Sequence, residues 1–306
     1  MPNRCRRALT GTLLSMLTLA APAHAGAVLD YVGTYVWSED RADFGGFSGI
    51  EVSDDGQTFH ALSDRSQLYW GRFERDGQGI VRGMRTLGRA HLRDSRGRPL
   101  PPGYTGDSEG LAIGPDGTVH VSFEGLNRVA SYPDLEGGPT VLRRAPKLPG
   151  MVVNNGLEAL AIGPEGELLT LPEASKSKDT PFVLLEYSDD RWHRRAEIRR
   201  DGDWLMVGAD MGPDGWLYLL ERDFNGILGF SSRVRRVMLD DDGVTEDEIV
   251  LRTRSLQYDN LEGIAAWDDG IGTRLTMISD DNFLFVQRTE IVEYRLREQT
   301  RRAATD

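Results

Sequence analysis

Acidic residues recur at fixed distances from five tight turns. The turns are Asp54-Asp55-Gly56, Pro115-Asp116-Gly117, Pro164-Glu165-Gly166, Pro213-Asp214-Gly215 and Asp268-Asp269-Gly270. Eight positions before the turn glycine stand Ser48, Glu109, Glu158, Val207 and Glu262. Six to ten positions after it stand Asp64, Glu124, Glu173, Glu221 and Asp280. Carboxylates brought to one place repel, so such a cluster persists only if some are protonated or cations lie among them. An all-oxygen set without Cys or a neighbouring His favours Ca²⁺ or Mg²⁺ over zinc. Glu109, Glu158, Glu262, Asp280, Asp64 and Glu173 are therefore candidate metal ligands, with Asp281 and Asn282 adding oxygen donors. Glu124 and Glu221 are candidates to orient an attacking water, and Arg65, Arg128, Lys176 and Arg222 to hold an anionic substrate group.

These positions can meet only if the turns are hairpin turns. Asp-Gly between apolar, β-rich runs is a strong hairpin signal, because glycine takes the positive φ of a tight turn. In an antiparallel hairpin, residues about eight before and seven after the turn are neighbours at its open end. Further strand-like runs follow the hairpins, at 128–132 and 140–144, then at 182–187 and 193–199. The turn glycines are 61, 49, 49 and 55 residues apart, and a period near 50 with four strands is that of a propeller blade. The expectation is an all-β, five-bladed β-propeller, or six-bladed if a long interval hides a degenerate unit. Residues 28–37 would close the ring beside 291–297. The first strand of each blade then lines the axis, and Glu109, Glu158 and Glu262 ring one mouth of a central channel.

Composition sets the outer bounds. The 306 residues are 39% apolar and 27% charged, too balanced for a disordered chain. A net charge of −12 argues against a nucleic-acid partner. Residues 1–25 read as a signal peptide: Arg4, Arg6 and Arg7, an apolar stretch, then Ala23-His24-Ala25 as a cleavage site. Removing its three arginines takes the charge from −12 to −15. The only cysteine, Cys5, leaves with it, so disulfides and thiolate chemistry are excluded from the exported form. The expected organisation is a signal at 1–25, a propeller at 26–297 and a polar tail at 298–306, periplasmic or secreted and off the membrane once cleaved. A closed ring hides its sheet edges, so a monomer acting on a small-molecule ester is expected.

The phrases Asp107-Ser108-Glu109-Gly110-Leu111-Ala112, Gly156-Leu157-Glu158-Ala159-Leu160-Ala161, Leu220-Glu221-Arg222-Asp223-Phe224, Asn260-Leu261-Glu262-Gly263-Ile264-Ala265 and Ser279-Asp280-Asp281-Asn282-Phe283 occur in that order. Together they resemble the phytase-like domain, described as "esterase-like activity of phytase". The resemblance runs from about Phe47 to Phe283 and implies an exported propeller that hydrolyses phosphate or other esters. The chain departs from the alkaline propeller phytases, whose pocket is richer in lysine; here only Lys147, Lys176 and Lys178 occur. The leading expectation is metal-assisted hydrolysis of a phosphomonoester. The alternatives are a non-catalytic cation- or ligand-binding propeller and a lactonase-like metal-dependent hydrolase. Gly106-Asp107-Ser108-Glu109-Gly110 also spells a serine-esterase string, but a strand follows it where the nucleophile elbow needs a helix.

Overall fold

The structure is a computed structural model that describes residues 26–142, 144–148 and 156–299. The signal-like segment and all but the first two residues of the polar tail lie outside the described residues. Among the described residues, no helix is long and apolar enough to cross a membrane.

Twenty strands form five four-stranded antiparallel sheets. Blade 1 holds β2 (Phe47–Val52), β3 (Thr58–Ser63), β4 (Gln67–Arg75) and β5 (Val81–His91). Blade 2 holds β6 (Ser108–Ile113), β7 (Val119–Phe123), β8 (Arg128–Tyr132) and β9 (Thr140–Val141). Blade 3 holds β10 (Leu157–Ile162), β11 (Leu168–Pro172), β12 (Phe182–Ser188) and β13 (Arg191–Ile198). Blade 4 holds β14 (Leu205–Met211), β15 (Leu217–Phe224), β16 (Phe230–Asp240) and β17 (Gly243–Arg252). Blade 5 joins β18 (Asn260–Asp268), β19 (Thr273–Asp280) and β20 (Thr289–Glu298) to the first strand, β1 (Ala27–Trp37). β1 pairs with β20 from Ala27↔Glu298 to Trp37↔Thr289 and closes the ring. The blade count is five, and all five turn glycines have positive φ, from 66° at Gly56 to 87° at Gly166.

Apolar faces of neighbouring blades make the core. At the seam of blades 5 and 1, Trp37 packs on Phe44, Phe47 and Phe59 with centroids 4.9 to 5.2 Å apart. The same seam holds a buried ion network, in which Glu293 accepts from Arg75 at 2.9 Å and Arg274 at 2.6 Å.

The inner strands decide where the acids point. In each blade the ladder between the first two strands slips at one place, between Phe47 and Gly49, Ser108 and Leu111, Leu157 and Ala159, Met206 and Gly208, and Leu261 and Gly263. The slips fall on Ser48, Glu109, Glu158, Val207 and Glu262, the position eight before each turn glycine. A β-bulge bends its strand and re-aims a side chain, which accounts for one position in every repeat serving the mouth. The next residue is Gly49, Gly110, Ala159, Gly208 or Gly263. A Cβ on Gly49 would lie 2.8 Å from that of Leu111, and one on Gly263 2.8 Å from the Ile50 nitrogen. Adjacent inner strands come that close, and the void they leave on the axis is only about 10 Å³, near the least that holds one water. The expected channel is thus closed at mid-height, and the acidic mouth is a cup.

Candidate metal-binding site

Three rows of residues make the cup. The bulge row contributes Glu109, Glu158 and Glu262, with Ser48 and Val207 completing the ring. The second row consists of the residues at the ends of the second strands: Asp64, Glu124, Glu173, Arg222 and Asp280. In blade 4 the register pairs Leu205 with Arg222, as it pairs Asn260 with Asp280 in blade 5. Arg222, not Glu221, therefore holds the ring position. A one-residue shift along a strand turns a side chain to the opposite face, and Glu221 faces the blade wall. There it is fully buried and accepts from Arg233 and Arg235 at 3.1 Å each. It does not reach the cup, which corrects its assignment as a water-orienting group. The third row lies one step further out and brings in Asp107 and Asn260.

Two groups of carboxylates have oxygens within 4.8 Å of one another: Asp107, Glu109 and Glu124, and Glu124, Glu158 and Glu173. Glu124 belongs to both. Burial, reinforced by like charge, pushes these acids toward their neutral forms. Glu109 and Glu158 are held well above the usual carboxylate range, each by burial and then by acidic neighbours. Asp64 and Glu124 are raised to about 7, and Asp280 to about 8, chiefly by burial. Arg222 is the internal counter-charge. It donates to Glu173 at 3.0 Å and Asn260 at 3.1 Å, and also to Glu262. Burial would lower its pKa, but Glu262, Glu173 and Glu158 more than reverse that. Asn260 also donates to Glu262 at 2.7 Å, fixing that carboxylate.

The remaining sequence-derived candidates divide. Asp64 and Asp280 join the cup, each feeling Glu262. Arg65 stands exposed beside Asp64, its guanidinium 3.2 Å from the Phe283 ring centroid. Lys176 is exposed on the connection from β11 to β12. Arg128 faces away: it donates to the Thr105 carbonyl at 2.6 Å and lines a pocket on the flank of blade 2. Asp281 ties blade 5 to blade 1, accepting from the Gly46 amide at 2.9 Å. Ser108 Oγ is buried and donates to the Ser63 carbonyl at 2.7 Å, which removes it as a nucleophile. Asp107 and Asn260 were absent from the candidate set. Their signal was the two-residue spacing to Glu109 and Glu262, because alternate residues of an extended strand share a face.

The donors are all oxygen, half-buried or buried, and mutually repelling, which suits a hard divalent cation. The connections around the cup also carry exposed apolar side chains, Ile227, Leu228, Leu284 and Phe285 among them.

Residues 42–283 match the phytase-like family described as "Esterase-like activity of phytase". No curated protein matches the chain. Among solved structures, the PQQ-bound aldose sugar dehydrogenase of Streptomyces coelicolor aligns over 89% of this chain and 99% of its own, at 13% identity and TM-score 0.50. Virginiamycin B lyase of Staphylococcus aureus aligns over 88% and 74%, at 15% identity and TM-score 0.42. A luciferin-regenerating enzyme aligns over 88% and 95%, at 9% identity and TM-score 0.45. At 13% identity, the first of these shows a shared fold and nothing finer.

Proposed function

Because the chain belongs to the phytase-like family, we propose that it is a metal-dependent hydrolase of uncharged ester bonds, open-chain or cyclic, working in the axial cup. The observation that carries this is the pair of carboxylate groups joined by Glu124, with oxygens within 4.8 Å. Asp107, Glu109, Glu124, Glu158 and Glu173 would hold the cation. Once bound, a divalent ion there would polarise the ester carbonyl and offset the cluster's charge.

The chain's own residues then have distinct parts. Glu124, shared by both groups and raised to about 7 in the metal-free cup, would give up its proton when the ion binds near neutral pH. Arg222 and Asn260 hold Glu262 in a fixed orientation beneath the substrate. A phosphomonoester is the weaker choice of substrate. Of the four basic residues expected to grip a phosphate, Arg222 is committed to acids, Arg128 faces a side pocket, Lys176 is on an exposed connection and Arg65 lies against Phe283. A dianion would enter an acidic cup with little to receive it. We include a periplasmic or secreted location in the proposal, supported by the signal-like residues 1–25; cell fractionation tests it.

The decisive experiment strips the protein with chelator, then assays carboxylic esters, lactones and phosphomonoesters before and after adding Ca²⁺ or Mg²⁺. Turnover of carboxylic esters or lactones that needs the ion is expected. Full turnover in excess chelator overturns the metal, and a preference for phosphomonoesters overturns the substrate class. Cation binding by calorimetry without any turnover would replace the hydrolase with a binding propeller.

A further inference from the structure

The flank of blade 2 holds a cavity of about 430 Å³, bounded by the segment between β5 and β6 and by β8 and β9. That volume lies in the range of small-molecule sites. Its wall combines apolar side chains, including Leu100, Leu126 and Val141, with the arginines Arg93, Arg98, Arg128 and Arg144. The one acid in the lining, Asp94, is taken up by Arg98 at 2.7 Å and 2.9 Å. In a chain of net charge −12 this is a local concentration of positive charge.

Arg128 is the unusual member. It is 9% exposed, yet no carboxylate pairs with it among the described residues. Its polar contact is the Thr105 carbonyl, and its guanidinium stacks on Phe123 with 4.0 Å to the centroid. Buried arginines elsewhere in this chain are paired: Arg233 and Arg235 with Glu221, Arg236 with Glu248, Arg274 with Glu293. A buried cation without a counter-ion is costly, and the cost is relieved by an anion from outside. Burial, and after it the nearby charge of Arg144, lowers the pKa of Arg128, although Tyr132 opposes them.

We propose that this pocket binds a small organic anion, a phosphate or carboxylate head held by Arg128 and Arg144 with an apolar body against Leu100, Leu126 and Val141. Arg128 supplies the planar fork that either head can accept. The site is separate from the acidic cup and does not depend on a metal there.

The test is titration calorimetry on the full chain in chelator, with phenylphosphonate and benzoate as probes and inorganic phosphate as a head without a body. Phenylphosphonate cannot be hydrolysed as an ester, so events in the cup do not enter. Binding of one equivalent is expected, tighter for the probes with a ring than for inorganic phosphate. Arg128→Met keeps the stem on Phe123 and should weaken binding roughly 30-fold. Arg144→Ala, at an exposed position, should weaken it about 5-fold and keeps the test open if Arg128→Met does not fold. The unliganded Arg128→Met protein should melt no lower than the parent, because it loses an uncompensated charge. No binding of either ring probe at roughly 10 mM, or affinity unchanged by both substitutions, overturns the proposal. A benzoate preference over phenylphosphonate assigns the head as carboxylate, and the reverse as phosphate.

Discussion

Glu221 and Arg222 are adjacent on β15 and serve opposite faces of the sheet: Arg222 bonds to Glu173 and Asn260 inside the cup, while Glu221 is sealed against Arg233 and Arg235 in the blade wall. Their substitutions should separate stability from function. Glu221→Gln removes the fully buried carboxylate that Arg233 and Arg235 share and leaves them only Asp201 and Asp247, which lie nearer the surface. Breaking a buried pair costs up to about 3–5 kcal/mol. A lower denaturant midpoint is expected, with kcat/KM per folded molecule unchanged. A loss of turnover that exceeds the loss of folded protein would return Glu221 to the site.

Arg222→Met acts on the other face. It removes the cation that shares the cup with Glu173, Glu262 and Glu158. In chelator the variant should melt below the parent, because the repulsion between acids is then unopposed. Added Ca²⁺ should raise its Tm by more than it raises the parent's, since the freed oxygens become available to the ion. Equal increments in the two proteins would mean that Arg222 and the ion do not share ligands.

Glu158→Gln should do the reverse. Glu158 is 7% exposed, and burial together with Glu173 opposes its charge. An amide of the same shape relieves that cost, so the metal-free variant should melt above the parent. Its Ca²⁺ affinity should fall by more than about tenfold, because ligand charge sets affinity at such sites. Calorimetry and thermal melts on one preparation measure both effects.

The parts of this structure that follow a repeat were legible in the sequence. The Asp-Gly turns, the four-strand period and the pairing of the first strand with the last all depend on local turn chemistry and on the need to close sheet edges. The bulge row was legible too, because Glu109, Glu158 and Glu262 keep one offset and a small residue follows each. Blade 4 was not. Its distance from turn to ring is not fixed by the turn, and in the string Leu-Glu-Arg the acidic residue looks like the member of the row. Only the register shows that Arg222 faces inward. Arg128 was misplaced for a related reason: a first residue of β8 lies near the mouth, but its side chain turns outward to Thr105. Distance along the chain gives height in the blade, and the pleat decides the face.

Stability should depend on pH in a direction set by the raised acids. Asp64 and Glu124 move from 3.8 and 4.5 to about 7, and Asp280 from 3.8 to about 8. Between the unfolded and folded values the native state binds more protons than the unfolded state, so stability falls as pH rises. The loss starts near pH 4 and is complete above about pH 8. Metal-free protein should show a Tm that declines across this window. With saturating Ca²⁺ the decline should flatten, because the ion takes the place of the protons. A Tm that rises with pH in chelator would contradict the raised values.

Gly110→Ala tests whether the closeness of the inner strands sets the cup. The Gly110 amide donates to Ser122 Oγ at 2.7 Å, and that hydroxyl donates to the Glu158 carbonyl at 3.2 Å, so one serine joins the inner strands of blades 2 and 3. A Cβ on Gly110 would overlap the Glu158 carbonyl and come within 2.7 Å of Leu160 Cβ. Backbone cannot step aside as a flexible side chain does, so β10 must shift and carry Glu158 away from Glu124 and Glu173. Overpacking of this kind costs typically about 1–3 kcal/mol. The expected result is a lower denaturant midpoint together with weaker Ca²⁺ binding and slower ester turnover. Stability lost with Ca²⁺ affinity intact would show that the cup tolerates a wider ring, and that the glycine serves the packing of the axis alone.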